Sequence, residues 1–192
     1  IDRRGHLVII DRARDVGKLA DGTAYAPQFI ENKLKFSPFI GEVVAFGDSR
    51  PFVAAIVAID ATTVGNWAER NNIAYTSFQD LCAKTEVAGL IRDEIRKCNA
   101  MLPEAVQIRR FLVLNKEFDA DDDEITRTRK IRRGFVAEKY ASVVDAFYGG
   151  SREVELAAEI TYEDGRKAVL RSTLAVADVD APPMPAELVA AQ

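Results

Sequence analysis

The chain has 192 residues, 48% of them hydrophobic and 29% charged, a balance that describes a globular protein with a core and excludes both a disordered chain and a fibre. Its length suits one ordinary domain, or a small domain with an appendage, and excludes most large multidomain enzymes. With 26 basic and 30 acidic side chains the formal charge is -4, so the overall balance points to no nucleic-acid or anionic-membrane partner and any cationic site must be local.

Ile1-Asp2-Arg3-Arg4-Gly5 opens without an initiator Met or a signal peptide and reads as the start of a piece of a longer protein. The only histidine, His6, sits in a charged turn beside Gly5, which leaves a histidine-based zinc site or a Ser-His-Asp triad almost nothing to work with. HLVII at 6–10 is β-branched and reads as a strand, followed by an irregular stretch to Ala26 that contains Gly17 and Gly22. Pro27 then opens a helix over PQFIENKLKF, with Phe29, Ile30, Leu34 and Phe36 as its apolar stripe, and Ser37-Pro38 stops it.

Ile40–Phe46 and Phe52–Ile59 read as a hairpin with one half-buried face, joined through the Gly47–Pro51 turn. Phe52–Ile59 is also the longest apolar run, far short of the roughly 20 residues that span a bilayer. Helical patterns follow at 61–72, 76–84 and 85–101, the second opened by a capping box of Thr76 and Gln79, and these helices should cover one face of the sheet. Cys82 and Cys98, the only cysteines, fall in this helical region and form neither a C-x-x-C pair nor a disulfide framework; a reducing, cytoplasmic setting is the default expectation.

QIRRFLVL at 107–114 reads as another strand. Asp119–Glu124 is acidic at five of six positions, and TRTRKIRR at 126–133 reverses the sign with five cations. GFVAEKYASVVDAFYGG reads as a single amphipathic helix closed by Gly149-Gly150. VELAAEITY and KAVLRSTLAV alternate around Asp164-Gly165, the strongest short-range hairpin signal in the chain. This hairpin, 149–176, is expected as an appendage to the domain at 1–148, and the proline-bearing stretch 177–192 as a flexible tail.

Two local features carry chemistry. Five cations in eight residues (Arg127, Arg129, Lys130, Arg132, Arg133) repel one another unless an anion or nearby carboxylates compensate. The run therefore reads as a surface segment neutralised by the acidic residues before it, as a polyanion-binding patch, or as a phosphate-handling site. DRARD at 11–15 places two arginines directly after a strand, ahead of the loop LADG at 19–22; a charged turn and a ligand-facing loop both fit. No P-loop and no G-x-G-x-x-G fingerprint is present.

Taken in order, DRARD, KLADGTAYAPQFIEN, SPFIGEVVAFGDSRPFVAAIVAID and EITRTRKIRR closely resemble the C-terminal domain of adenylate-forming acyl-CoA synthetases, and among them the long-chain fatty-acyl-CoA synthetases. The resemblance runs over about residues 1–148. It implies an α+β fold, a small mixed sheet with flanking helices, acting as a mobile lid on a large N-terminal domain that holds ATP, Mg2+ and the acid and lies outside this chain. It further implies an acid–thiol ligase: a fatty acid is activated by ATP to acyl-adenylate, and the acyl group then passes to CoA.

Position by position, the resemblance makes Lys130 the adenylation lysine, Arg12 a nucleotide contact, Arg14 the hinge, Gly22 the glycine beside the pantetheine tunnel and Arg92 a contact to a CoA phosphate. The hinge departs from the commonest pattern, which has Asp or Lys there. The family's phosphate loop and ribose-binding aspartate are absent from the chain, so the chain alone is expected to be inactive. The expected partners are the N-terminal domain, ATP/AMP, a fatty acid and CoA, with no nucleic acid; a peripheral membrane contact of the complete enzyme is compatible with this. Other carboxylic acids, or a carrier-protein thiol as acceptor, stay open, as does the non-catalytic polyanion-binding module.

Overall fold

A computed structural model describes residues 16–128, 130–161 and 167–180, with side chains throughout except at 157–161 and 167–170. The strand expected at 6–10, His6, and the DRARD segment with Arg12 and Arg14 lie outside the described residues.

The chain begins with a small antiparallel pair, β1 (Gly17–Lys18) and β2 (Ala24–Tyr25). α1 (Pro27–Leu34) follows, with proline in the first turn where its missing N–H costs nothing. The helix is shorter than its sequence pattern suggested. Ser37 N–H bonds Leu34 O in a tight turn ahead of Pro38, and Phe36, expected in the apolar stripe, is 87% exposed.

β3 (Ile40–Phe46) and β4 (Val53–Ile59) form the expected antiparallel hairpin. The expected half-buried face is a correction: all seven residues of β4 are buried, because helices cover the sheet on both sides. Val53, Ala55, Val57 and Ile59 face one core, and Ala54, Ile56 and Ala58 the other.

α2 (Ala61–Arg70), α3 (Phe78–Ala83) and α4 (Thr85–Asn99) carry the chain to β5 (Ile108–Val113), which runs parallel to β4. Asp60 caps α2 by accepting from Thr63 N–H at 2.8 Å. The cap of α3 is Ser77, which accepts from Asp80 N–H, while the Asp80 carboxylate takes Thr76 N–H; the box expected from Thr76 and Gln79 is thus displaced by one residue. The buried Asn99 side chain bonds both the N–H and the C=O of Ile108, fastening the end of α4 to the start of β5.

The segment 134–150, expected as one helix, is two: α5 (Arg133–Lys139) and α6 (Ala141–Gly149). They break at Tyr140, whose φ of -106° and ψ of 28° leave the helical region while its hydroxyl reaches the buried Glu124. Gly150, at φ +76°, closes α6 in the left-handed conformation that glycine adopts at little cost.

β6 (Glu153–Thr161) and β7 (Lys167–Asp178) pair antiparallel from Glu153↔Ala175 to Thr161↔Lys167. They are not merely appended. β7 also pairs antiparallel with β5 at Arg110↔Asp178, Phe111↔Ala177 and Leu112↔Val176, giving one five-stranded sheet in the order β3-β4-β5-β7-β6. Arg110, 7% exposed on β5, makes the junction: it donates to Asp178 Oδ1 and to the carbonyls of Ala146, Phe147 and Ser151. Ala177 to Asp180, expected in the tail, belong to the fold; Val179 is 1% exposed, and its carbonyl accepts from Arg96.

α1–α4 pack on one face of the sheet, around Ile30, Ile91, Ile95 and Phe111. α5, α6 and the segment from Phe118 to Ile131 pack on the other, around Ile56, Leu112, Val136 and Phe147.

Candidate functional site

The basic run forms a small loop whose ends are drawn together by an antiparallel bridge, Ile125↔Ile131. Thr126 N–H bonds Lys130 O at 2.8 Å, and Lys130 N–H bonds Thr126 Oγ1 at 3.0 Å, so the threonine hydroxyl holds the lysine backbone from within the loop. Arg132 N–H closes the base on Glu124 O.

The acidic side of that base is fastened by Glu124, whose carboxylate is fully buried yet well satisfied. It accepts from the Tyr140 hydroxyl at 2.6 Å and from Asp119 N–H at 3.0 Å, and pairs with Lys139 at 2.9 Å and Lys116 at 3.1 Å. Burial and the bond to Glu124 both push the Tyr140 hydroxyl pKa upward, so it stays a donor. Asp122 binds Lys116 and Lys139, and its hydrogen bond from Lys116 holds the carboxyl below the usual aspartate range. Burial works to lower the Lys116 pKa, but Asp122 and Glu124 outweigh it and hold the ammonium above the ordinary lysine value.

The cations of the run are therefore not equivalent. Much of the acidic run is matched by lysines outside the basic one, and among the described residues an ion pair joins the two runs only between Arg132 and Asp123. Arg133 turns inward: its guanidinium forks onto Glu31 of α1 at 2.7 and 2.8 Å and bonds Ala45 O at 2.9 Å. Glu31 is 5% exposed and also accepts from Ala45 N–H. Burial raises its carboxyl pKa against the opposing pull of Arg133. Lys130 is exposed, and its ammonium makes no hydrogen bond or ion pair with any described residue. A groove of about 480 Å³ opens beside the loop, lined by Asp121, Asp123, Thr126, Arg127 and Arg132 among others.

Gly22 lies in the exposed turn between β1 and β2, at φ +86°. A Cβ there would meet nothing within 4 Å, so within this chain its glycine is required by backbone conformation and not by crowding. The turn is tied to the β3–β4 connection by Ala20 N–H to Arg50 O and Ser49 N–H to Lys18 O. Arg92 on α4 donates from Nε to Asp178 O, and so helps anchor the end of β7. Burial and the neighbouring Arg96 lower its pKa.

The three described positions are not gathered in one pocket. Gly22 and Arg92 belong to elements on the α1–α4 side of the sheet, and Lys130 to the segment packed on the other. The larger cavity, about 770 Å³ between α2 and α4, is lined by none of them. Among the described residues no group of three or more His, Cys, Asp or Glu side chains is arranged to hold a metal ion. No described helix is long and apolar enough to cross a membrane. Glu31 and Glu124 escaped notice as site residues, although Glu31 stood in the I-E-N element of the resemblance; nothing in a lone sequence distinguishes a buried glutamate from a solvated one.

The mixed sheet, covered on both faces, carries the Thr126–Lys130 loop at its side, and comparison with known proteins gives this fold its class. The family model described as the AMP-binding enzyme C-terminal domain matches residues 15–152, and the chain belongs to this family. Among curated proteins it is similar to the long-chain-fatty-acid–CoA ligase FadD15 of Mycobacterium tuberculosis, 34% identical over 149 residues covering 77% of this chain and 25% of that protein. It is also similar to human long-chain-fatty-acid–CoA ligase 1, 31% identical over 148 residues covering 75% of this chain and 21% of that protein. The chain thus spans about a quarter or less of the length of these relatives.

Among solved structures, the adenylation domain of a carboxylate reductase from Mycobacterium chelonae superposes with a TM-score of 0.58 at 23% identity, over 73% of this chain and 20% of that one. The A-PCP didomain of the Segniliparus rugosus carboxylic acid reductase, solved in complex with AMP, gives 0.58 at 20% identity, over 74% and 18%. These likenesses establish the fold.

Proposed function

We propose that this chain is the C-terminal domain of an AMP-forming long-chain fatty-acid:CoA ligase, working within a longer polypeptide that binds ATP, Mg2+ and the acid. The observation that carries this reading is the division of labour in the basic run: Arg132 and Arg133 are engaged within the fold, while Lys130 projects from a loop held at both ends. Family membership and the two curated ligases supply the reaction class.

In the first half-reaction a carboxylate oxygen of the fatty acid attacks the α-phosphorus of ATP. The bond to the bridging oxygen breaks, and pyrophosphate leaves with its electron pair. Negative charge is redistributed over the α-phosphate and the attacking carboxylate. A compact ammonium already in place there stabilises that charge without reorganisation, a contribution of about 3 to 4 kcal/mol for one preorganised group. In the second half-reaction the CoA thiol, losing its proton, attacks the acyl carbonyl and displaces AMP. Gly22, Arg92, Arg12 and Arg14 are proposed for this stage and for the nucleotide, as the resemblance implies; Arg92 has its Nε committed to Asp178 O, which leaves its terminal nitrogens for a phosphate.

The test is fatty-acid-dependent ATP–pyrophosphate exchange and acyl-CoA formation by the complete polypeptide, across carboxylic acids of increasing length. The reading expects both reactions with long-chain acids. Exchange stimulated only by a different acid would overturn the substrate, and binding of polyanions without exchange would overturn the enzyme.

A further inference from the structure

We infer that Arg133 and Glu31 are positioning residues for the adenylation step, a buried ion pair that sets where Lys130 stands; the inference rests on the role proposed for that lysine. Ala45 on the edge strand β3 presents both an N–H and a C=O away from β4, and the pair satisfies both. Glu31 Oε1 accepts the N–H at 2.8 Å, and Arg133 Nη1 donates to the C=O at 2.9 Å. The two side chains are joined by two parallel hydrogen bonds from guanidinium to carboxylate, a planar fork with little freedom to rotate. The result ties α1, β3 and the first residue of α5 into one rigid unit.

Lys130 stands only three positions before Arg133, and the two residues between them are Ile131, packed against the core, and Arg132, bonded through its N–H to Glu124 O. The upstream end of the loop is set by the Glu124 cluster and the downstream end by Glu31. Between these anchors the internal bonds of the loop's described residues join Thr126 to Lys130 and to the Thr128 hydroxyl. With the downstream anchor released, the base can shift without unfolding the sheet. A shift of about 1 Å in a group that must meet a phosphate is on the order of a 100-fold loss in rate. Although Arg133 belongs to the cationic run, its place is to hold the loop while Lys130 meets the ligand.

The experiment compares Arg133→Ala, Glu31→Gln and Lys130→Ala in the complete polypeptide, measuring both half-reactions separately, and follows amide exchange in the 192-residue chain. Glu31→Gln keeps an acceptor for Ala45 N–H but removes the charge that Arg133 needs. The inference expects both anchor variants to lower kcat for adenylation by about 10- to 100-fold with little change in KM, leaving thioester formation from supplied acyl-adenylate intact. Added methylguanidinium should restore part of the adenylation rate in Arg133→Ala and none in Lys130→Ala. Exchange should quicken at Thr126, Lys130 and Arg132, while the sheet amide of Leu114, bonded to Val57 O, stays protected. Equal loss of both half-reactions, or protection lost together at Leu114 and in the loop, would reduce the pair to a general stabiliser and overturn the inference. Normal adenylation in the anchor variants beside an inactive Lys130→Ala would overturn it too, whereas an active Lys130→Ala would overturn the role proposed for that lysine and leave the ligase reading standing.

Discussion

Asp122 shows how a single group ties the site to pH. Its folded pKa lies below the ordinary value of about 3.9, through the bond from Lys116, so its contribution is present above that value and lost as pH falls through the folded value beneath it. Asp122→Asn should therefore lower stability at neutral pH, and urea unfolding of variant and wild type should converge as the pH drops below 4; a gap that does not change with pH would contradict this. Gly22 offers a second test. Its φ of +86° makes Gly22→Ala cost about 1 kcal/mol of stability by strain alone, and a larger residue should add little, because a Cβ meets nothing within 4 Å. At this scale the motif singles out Lys130 as a candidate and gives no sign of the inward turn of Arg133. Both are cations in the same run, and only the fold turns one of them onto a buried glutamate.

Elements were read well where local chemistry decides them. Proline opens α1 and glycine closes α6, and both ends fall close to where the sequence put them. Asp60, capping α2, is expected to cost about 1 kcal/mol when replaced by alanine, measurable by thermal or urea unfolding. What escaped the sequence depends on contacts between distant segments. The break at Tyr140 follows from a hydroxyl reaching Glu124, and the complete burial of β4 from helices supplied by both flanks of the chain. The attachment of β7 to β5 depends on Arg110, an arginine inside the strand pattern QIRRFLVL to which that pattern gives no role. Replacing it by leucine leaves helix-end carbonyls unmatched, and should lower stability by about 2 to 3 kcal/mol and speed exchange along β7 before the rest of the sheet. Unchanged protection of β7 would mean that strand pairing alone holds it.

As a whole, the molecule is a two-faced domain that presents, on a loop fixed at both ends, a lysine whose ammonium has no partner among the described residues. Spanning about a quarter of the length of its curated relatives, it is proposed to supply that charge to a reaction whose substrates are held elsewhere. Positioning of bound reactants contributes roughly 7 to 11 kcal/mol of a barrier, so the 192-residue chain alone, given palmitate, ATP, Mg2+ and CoA, is expected to form no acyl-CoA. The central claim is that Lys130 serves the first half-reaction. It is tested most directly in the complete polypeptide by comparing wild type with Lys130→Ala in pyrophosphate exchange and in thioester formation from synthetic acyl-adenylate. The account predicts that exchange falls by about 100-fold or more while thioester formation persists. Retained exchange, or equal loss of both reactions, would contradict it.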